Sequence, residues 1–85
     1  MFEVILSRSA ATYFQHLDRP LQERVRSAFE SLREDPLANS KALVNGEGRR
    51  SARVGGLRII FTIDSSAEVI AVSHIGPRGQ IYRRR

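Results

Sequence analysis

The chain has 85 residues, enough for one small domain whose core leaves only a thin margin of stability. It contains no cysteine and no recognisable cluster of metal ligands, which excludes a disulfide framework and argues against a structural zinc site. The formal net charge is +5, and the basic residues are thirteen arginines and one lysine, Lys41. Arginine binds phosphate through two parallel hydrogen bonds, so this excess favours nucleic acid or an acidic protein as the partner, although a GC-rich genome also enriches arginine.

The N-terminal segment, Met1-Phe2-Glu3-Val4-Ile5-Leu6, carries an acidic residue and only a short apolar run. A secretory signal has a basic start and a longer apolar region, and a membrane span needs about 20 apolar residues. The sequence meets neither requirement. We therefore expect a cytoplasmic protein that does not enter the membrane, and no motif implies a metal or another cofactor.

The N-terminal half predicts one strand followed by two helices. Residues 2–6 are mostly β-prone, and Ser7 or Ser9 can cap a short helix with apolar residues at helical spacing. Asp18 can cap a second, longer helix, which Asp35-Pro36 ends because a residue before proline avoids helical angles. The apolar stripe of this second helix consists of Leu21, Val25, Ala28, Phe29 and Leu32.

The C-terminal half predicts strands joined by turns. Residues 36–49 are rich in turn formers and indicate a surface connection, after which Gly55-Gly56 is typical of a two-residue β-hairpin. Ser65-Ser66 predicts a second turn, and residues 76–79 a break before a last strand at 80–82. The expected fold is one α+β domain over residues 1–85, in which an N-terminal strand and a helical hairpin pack on one face of a small, largely antiparallel sheet.

The hairpin register predicts that Arg53 lies opposite Arg58, on the same face and about 5 Å apart between Cβ atoms. With Ser65-Ser66 as the next turn, Leu57 lies opposite His74. The face that should meet the helices then carries Ala52, Val54, Leu57, Ile59, Phe61, Ile63, Ile70, Val72 and His74. The other face is polar and cationic, and no remaining segment is long and apolar enough to cover it. Its residues are Ser51, Arg53, Arg58, Ile60, Thr62, Ala71 and Ser73.

Two explanations of the arginine pair remain open at this point. The pair is either two solvated side chains that repel each other by about a few tenths of a kcal/mol, or a site where a polyanion cancels the repulsion. The histidines point to no further site, since His74 is expected against the helices and His16 on the surface. A ribonuclease that uses two histidines as acid and base would need them to converge, and the expected topology separates His16 from His74.

The chain resembles the RelE/ParE toxin superfamily along nearly its whole length. That superfamily typically shows an Arg-Val-Gly-x-x-Arg-Ile-Ile-Tyr hairpin and a closing His-x-x-x-Arg-x-x-x-Tyr-Arg. The matching segments here, in order, are Glu34-Asp35-Pro36-Leu37, Ser40-Lys41-Ala42-Leu43, Arg53-Val54-Gly55-Gly56-Leu57-Arg58-Ile59-Ile60-Phe61 and His74-Ile75-Gly76-Pro77-Arg78-Gly79-Gln80-Ile81-Tyr82-Arg83.

The resemblance implies a toxin of a type II toxin–antitoxin pair, with a cognate antitoxin protein as its partner. RelE-like members cleave messenger RNA in the ribosomal A site, whereas ParE-like members poison DNA gyrase. By position, Arg58 matches the arginine that stabilises the attacked phosphate, Arg78 the arginine near the leaving oxygen, and Tyr82 the tyrosine that orients or deprotonates the 2′-hydroxyl. Arg53 matches a cation of the basic cluster, and Ser51 stands where RelE enzymes usually have a second one.

Arg49, Arg50 and Arg83 complete the expected RNA-binding set, the first two lying in or beside the loop before the strand. Three functions stay open from the sequence. They are a ribosome-dependent, metal-independent endoribonuclease that inhibits translation, a gyrase-directed toxin without nuclease activity, and an inactive relative, for which Ser51 is the best support.

Overall fold

The structure, a computed structural model, describes residues 1–43 and 46–77. The elements in that part of the chain are β1 (Glu3–Leu6), α1 (Arg8–Gln15), α2 (Arg19–Glu34), β2 (Lys41–Ala42), β3 (Arg50–Val54), β4 (Leu57–Asp64) and β5 (Val69–Pro77). The strands form one sheet in the order β1-β5-β4-β3-β2, in which the β1–β5 pair is parallel and the other pairs are antiparallel. The predicted α+β fold is confirmed.

Side-chain caps set the helix ends that the sequence predicted. Ser7 Oγ accepts a hydrogen bond from the Ala10 amide at 3.1 Å, and Asp18 Oδ1 accepts one from the Leu21 amide at 3.1 Å. Each cap satisfies an amide that has no partner within its own helix. Helix α2 ends at Glu34, immediately before Asp35-Pro36. Neither helix is long and apolar enough to cross a membrane in the described part of the chain.

The hydrophobic core lies between the two helices and one face of the sheet. The helices also contact each other, since the Phe14 and Phe29 rings lie 6.4 Å apart between centroids. All predicted apolar strand residues except His74 lie in this core or pack against it, and Ile75 joins them. The buried members are Ala10, Val25, Leu32, Ala52, Val54, Leu57, Ile59, Phe61, Ile70, Val72 and Ile75. The other sheet face therefore lies away from the helices.

The glycine hairpin has the predicted register. Val54 pairs with Leu57 and Arg53 pairs with Arg58, which confirms that the two arginines lie directly opposite each other. Gly55 has a φ of 58°, whereas Gly56 is not among the glycines with positive φ. A positive φ at the first central residue alone is typical of a type II′ turn, which matches the twist of the flanking strands.

The predicted register between β4 and β5 is wrong. Asp64 pairs with Val69, so the turn has four residues, 65–68, instead of the two serines alone. Local polar chemistry favours the longer turn: Asp64 Oδ1 accepts a hydrogen bond from the Ala67 amide at 3.1 Å, and Glu68 adopts a φ of 57°. Phe61 consequently pairs with Val72, whereas a two-serine turn would place it opposite Ile70.

A β-bulge at Ser73 overturns the predicted position of His74. Phe61 pairs with Val72 but Ile60 pairs with His74, so Ser73 is an extra residue on β5. One extra residue moves every later side chain of the strand to the opposite face of the sheet. His74 therefore lies on the side away from the helices, and Ile75 enters the core. Strand β5 then continues through Pro77, where the sequence predicted a break. The predicted strand at 80–82 lies outside the described residues.

Candidate nucleic-acid interface

Three cations meet on the sheet face away from the helices. Lys41 on β2 pairs with Ser51 on β3, and Arg53 pairs with Arg58 on β4. Paired residues share a face, and Ser51 and Arg53 are two residues apart on one strand, so all four side chains lie on this face. We call Lys41, Arg53 and Arg58 the cation cluster.

Arg58 is held rigidly within this cluster. Its side chain is buried, at 7% exposure, and its Nη1 donates a hydrogen bond to Ser51 Oγ at 3.1 Å. The sequence predicted an uncovered face, but the centre of the face is enclosed, since Ser51 and Ile60 are also buried. Arg53 and Lys41 remain exposed. The cluster thus combines one fixed guanidinium with two accessible cations.

A cavity of about 560 Å³ lies beside the cluster. The connection between α2 and β2 forms one wall, which explains why the face is partly covered. Its volume is within the range of small-molecule sites, so a nucleoside could enter it. The lining residues are Ala38, Asn39, Ser40, Lys41, Ala42, Leu43, Ser51, Ala52, Arg53 and Arg58.

The charges of the cluster are poorly balanced by acids. Among the described residues, the ion pairs involve arginines of α2, Arg26 with Glu23 and Arg33 with Glu30, and not Lys41 or Arg53. Asp64 shares the face with Arg58 but lies six residues further along β4, about 20 Å away at the usual rise per residue. The cluster therefore presents positive charge to an anionic ligand.

Arg49 and Arg50 do not join the cluster. Arg50 pairs with Phe61 on the helix side of the sheet, and its Nε donates to Ser40 Oγ at 2.7 Å. Arg49 Nε donates to the Gly46 carbonyl at 3.0 Å within the loop. Both guanidinium groups hold the connection before β3, and their expected part in RNA binding stays a prediction. Arg78, Tyr82 and Arg83 lie outside the described residues.

Sequence reasoning missed two residues of this region, Lys41 and His74. Lys41 belongs to a two-residue strand that is too short for any periodicity to show. His74 was assigned to the wrong face because a single extra residue at Ser73 carries no strong sequence signal. The described residues include no group of three or more potential ligands that could hold a metal ion.

Comparison with known proteins decides the family. The sequence model of the ParE toxin of type II toxin–antitoxin systems, parDE, matches residues 4–82. The chain belongs to this family. It is a type II toxin of the RelE/ParE superfamily, in agreement with the resemblance seen in the sequence. None of the curated proteins is similar enough in sequence to count as a match.

Solved structures of RelE–RelB complexes share the fold. The RelBE2 toxin–antitoxin complex from Mycobacterium tuberculosis contains a chain that is 28% identical, with a TM-score of 0.78, and the alignment covers 91% of this chain and 98% of that one. A chain of the RelE–RelB complex from Pyrococcus horikoshii is 20% identical, with a TM-score of 0.80 and coverages of 93% and 97%. A chain of the intact Escherichia coli RelBE complex is 17% identical, with a TM-score of 0.78 and coverages of 91% and 96%.

Proposed function

We propose that this toxin is a ribosome-dependent messenger RNA endoribonuclease that inhibits translation in the cytoplasm. The observation that carries the proposal is the cation cluster on the sheet face away from the helices. Three cations side by side repel one another, and a phosphate chain across them cancels that repulsion. Two solvated arginines would both be exposed, whereas Arg58 is buried and donates a hydrogen bond to Ser51. This geometry favours a binding site over a pair of solvated side chains.

The geometry of Arg58 suits stabilisation of a phosphorane-like transition state. RNA is cleaved when its 2′-oxygen attacks the adjacent phosphorus and negative charge grows on the phosphoryl oxygens. Donors that are already in place cost no reorganisation at that moment, and removing one such donor typically costs about 100- to 1,000-fold in rate. Ser51 provides this preorganisation, since its Oγ accepts from Arg58 Nη1.

The remaining roles follow from the family resemblance. Arg53 would bind the RNA backbone, with Arg83 as a further contact, Arg78 would lie near the leaving oxygen, and Tyr82 would orient or deprotonate the 2′-hydroxyl. Lys41 adds a cation opposite Ser51, where RelE enzymes usually have a second basic residue on the strand itself. The mechanism needs no metal and no other cofactor.

Induction in cells tests the proposal. The wild type, Arg58→Ala and a control, Arg19→Ala, should be expressed at equal levels while messenger RNA ends and DNA breaks are mapped. Arg19 is exposed at the start of α2 and has the same charge, but lies on the helix side. We expect codon-phased RNA ends for the wild type and Arg19→Ala, and none for Arg58→Ala. Wild-type toxicity without RNA cleavage would refute the nuclease proposal.

Gyrase inhibition is the second candidate, because the matching family model describes a ParE toxin. A gyrase-directed toxin needs the fold and a binding surface but no phosphate-stabilising arginine. In the same induction experiment it would produce double-strand DNA breaks and unchanged RNA ends. Arg58→Ala would then remain toxic as long as it folds.

We further propose a cognate antitoxin of the RelB type as the protein partner, supported by the complexes of the structural neighbours with RelB. Its segment that blocks the toxin should be acidic or amphipathic, so that it neutralises the cation cluster or covers the helices. Co-expression with such an antitoxin should abolish RNA cleavage by the wild type.

A further inference from the structure

The β-bulge on β5 turns a histidine toward the cation cluster. The bulge at Ser73 is held from two sides: Ser7 Oγ donates to the Ser73 carbonyl at 3.1 Å, and Ser73 Oγ donates to the Ile60 carbonyl at 3.3 Å. Beyond it, His74 shares the face of Arg58 and is exposed. The bulge therefore places an imidazole on the face that carries the cation cluster.

The imidazole of His74 lies over Gly76. A Cβ atom at position 76 would be only 2.8 Å from His74 Nε2, so the ring occupies the space that a side chain there would fill. Gly76 pairs directly with Arg58. Since opposed Cβ positions are about 5 Å apart, Nε2 lies within about 8 Å of the Arg58 Cβ atom. A phosphate bound by Arg58 would thus have His74 on its β5 side.

The cavity lies on the other side of Arg58, toward β3 and β2. In an in-line displacement the attacking and leaving oxygens are on opposite sides of the phosphorus. The attacking nucleoside must be held in a fixed geometry, and the cavity, with the α2–β2 connection as one wall, is the concave surface available for that. The departing nucleoside then extends over the open β5 side, where His74 is accessible.

We propose that His74 donates a proton from Nε2 to the 5′-oxygen as it leaves, an inference that rests on the proposed function. The 2′-oxygen forms a bond to phosphorus, the bond from phosphorus to the 5′-oxygen breaks, and the 2′-proton passes to a base, for which Tyr82 is the expectation from the sequence. The imidazolium becomes neutral imidazole. The products are a 2′,3′-cyclic phosphate and a free 5′-hydroxyl.

Proton transfer is the step that the cation cluster cannot perform. A guanidinium stabilises charge but does not release its proton at working pH, whereas imidazole exchanges a proton near neutrality. The charged groups on the same face near His74 in the described residues are Arg58 on β4 and Arg53 on β3. Strand β1 contributes Glu3 only at the far end, opposite Val69.

A sulfur substitution at the leaving group tests this role. Ribosomes are programmed with a messenger RNA whose cleaved linkage carries either the normal 5′-oxygen or a 5′-bridging sulfur, which leaves without protonation. On the oxygen substrate, His74→Gln should cleave about 100-fold more slowly than the wild type, within the range of general acid catalysis. On the sulfur substrate the two proteins should cleave at the same rate.

Two further variants separate catalysis from folding. His16→Gln is the control, because His16 is exposed on the helix side, with Nδ1 bound to the Thr12 carbonyl, and it should behave as the wild type. Gly76→Ala keeps the histidine but displaces its ring, so it should impair cleavage of the oxygen substrate alone.

Equal cleavage of the oxygen substrate by His74→Gln and the wild type would overturn the role of His74 while leaving the nuclease proposal intact. A loss in His74→Gln that is the same on both substrates would also overturn proton donation. A wild type that cleaves neither substrate would instead refute the proposed function, and this inference with it.

Discussion

At the residue scale, Arg58 is buried and bound to Ser51, whereas Arg53 on the opposite strand is exposed. The Gly55-Gly56 signal determines the register locally, so Arg53 and Arg58 could be placed opposite each other. Burial of Arg58 and its bond to Ser51 depend on the wall formed by the α2–β2 connection, which no local pattern predicts. The same limit applies to Ser51, which in the sequence stands out only as a missing cation but in the fold accepts a hydrogen bond from Arg58.

RNA cleavage should depend on the planar guanidinium of Arg58, with its fixed donor directions, as well as on its charge. Arg58→Lys keeps the charge but cannot bind Ser51 and two phosphate oxygens in fixed directions, so we expect RNA cleavage to fall by at least about tenfold. Single-turnover cleavage of ribosome-bound messenger RNA measures this. A thermal melt controls for folding, and wild-type rates for a folded Arg58→Lys would show that charge alone suffices.

Lys41 should supply the charge that Ser51 lacks. Lys41→Ala removes a cation opposite Ser51, and we expect weaker binding of single-stranded RNA, with a salt dependence reduced by about 0.7 in the slope of log K against log salt. If the slope of log K against log salt is the same for Lys41→Ala as for the wild type, Lys41 does not contact the phosphates.

At the element scale, the helices and the glycine hairpin were predictable because their signals are local. The helix boundaries depend only on residues close in the sequence, namely the caps at Ser7 and Asp18 and the stop at Asp35-Pro36. The β4–β5 register depends instead on a bulge held by Ser7, a residue far away in the sequence. A long-range cause of this kind explains why His74 was assigned to the core.

The hairpin turn should be sensitive to substitution at one glycine and tolerant at the next. Gly55→Ala forces an L-residue to a φ of 58°, and we expect it to lower the free energy of unfolding by about 1–2 kcal/mol. Gly56→Ala is the matched control, since nothing lies within 4 Å of the added methyl group. Urea unfolding compares the two, and equal stabilities would contradict the assigned turn.

At the scale of the whole molecule, helix α2 carries acids among its arginines, whereas strands β2 and β3 of the cation cluster carry none. The arginines of α2 at positions 26 and 33 pair with glutamates, whereas Lys41 and Arg53 have no ion pair among the described residues. Composition alone predicts a basic protein. It does not predict which side of the molecule keeps unbalanced charge, because that depends on how the chain folds.

RNA binding should therefore weaken strongly as the salt concentration rises. The residues that determine this salt dependence should lie on the side of the cation cluster. Three phosphate contacts, from Lys41, Arg53 and Arg58, at about 0.7 each give a slope of log K against log salt of about −2 or steeper. Arg19→Ala and Arg26→Ala on the helix side should leave the slope unchanged. Fluorescence anisotropy with a short RNA at several salt concentrations measures it, and a helix-side effect equal to that of Arg53→Ala would contradict the assignment.

The most direct measurement of the central claim is an NMR titration of the labelled toxin with a short RNA that carries 2′-O-methyl groups and cannot be cleaved. We expect amide shifts to change in β2, β3 and the start of β4, around Lys41, Ser51, Arg53 and Arg58, with a smaller set around His74. Shift changes confined to α1 and α2 would show that RNA does not bind this sheet face, and the proposed site would be wrong.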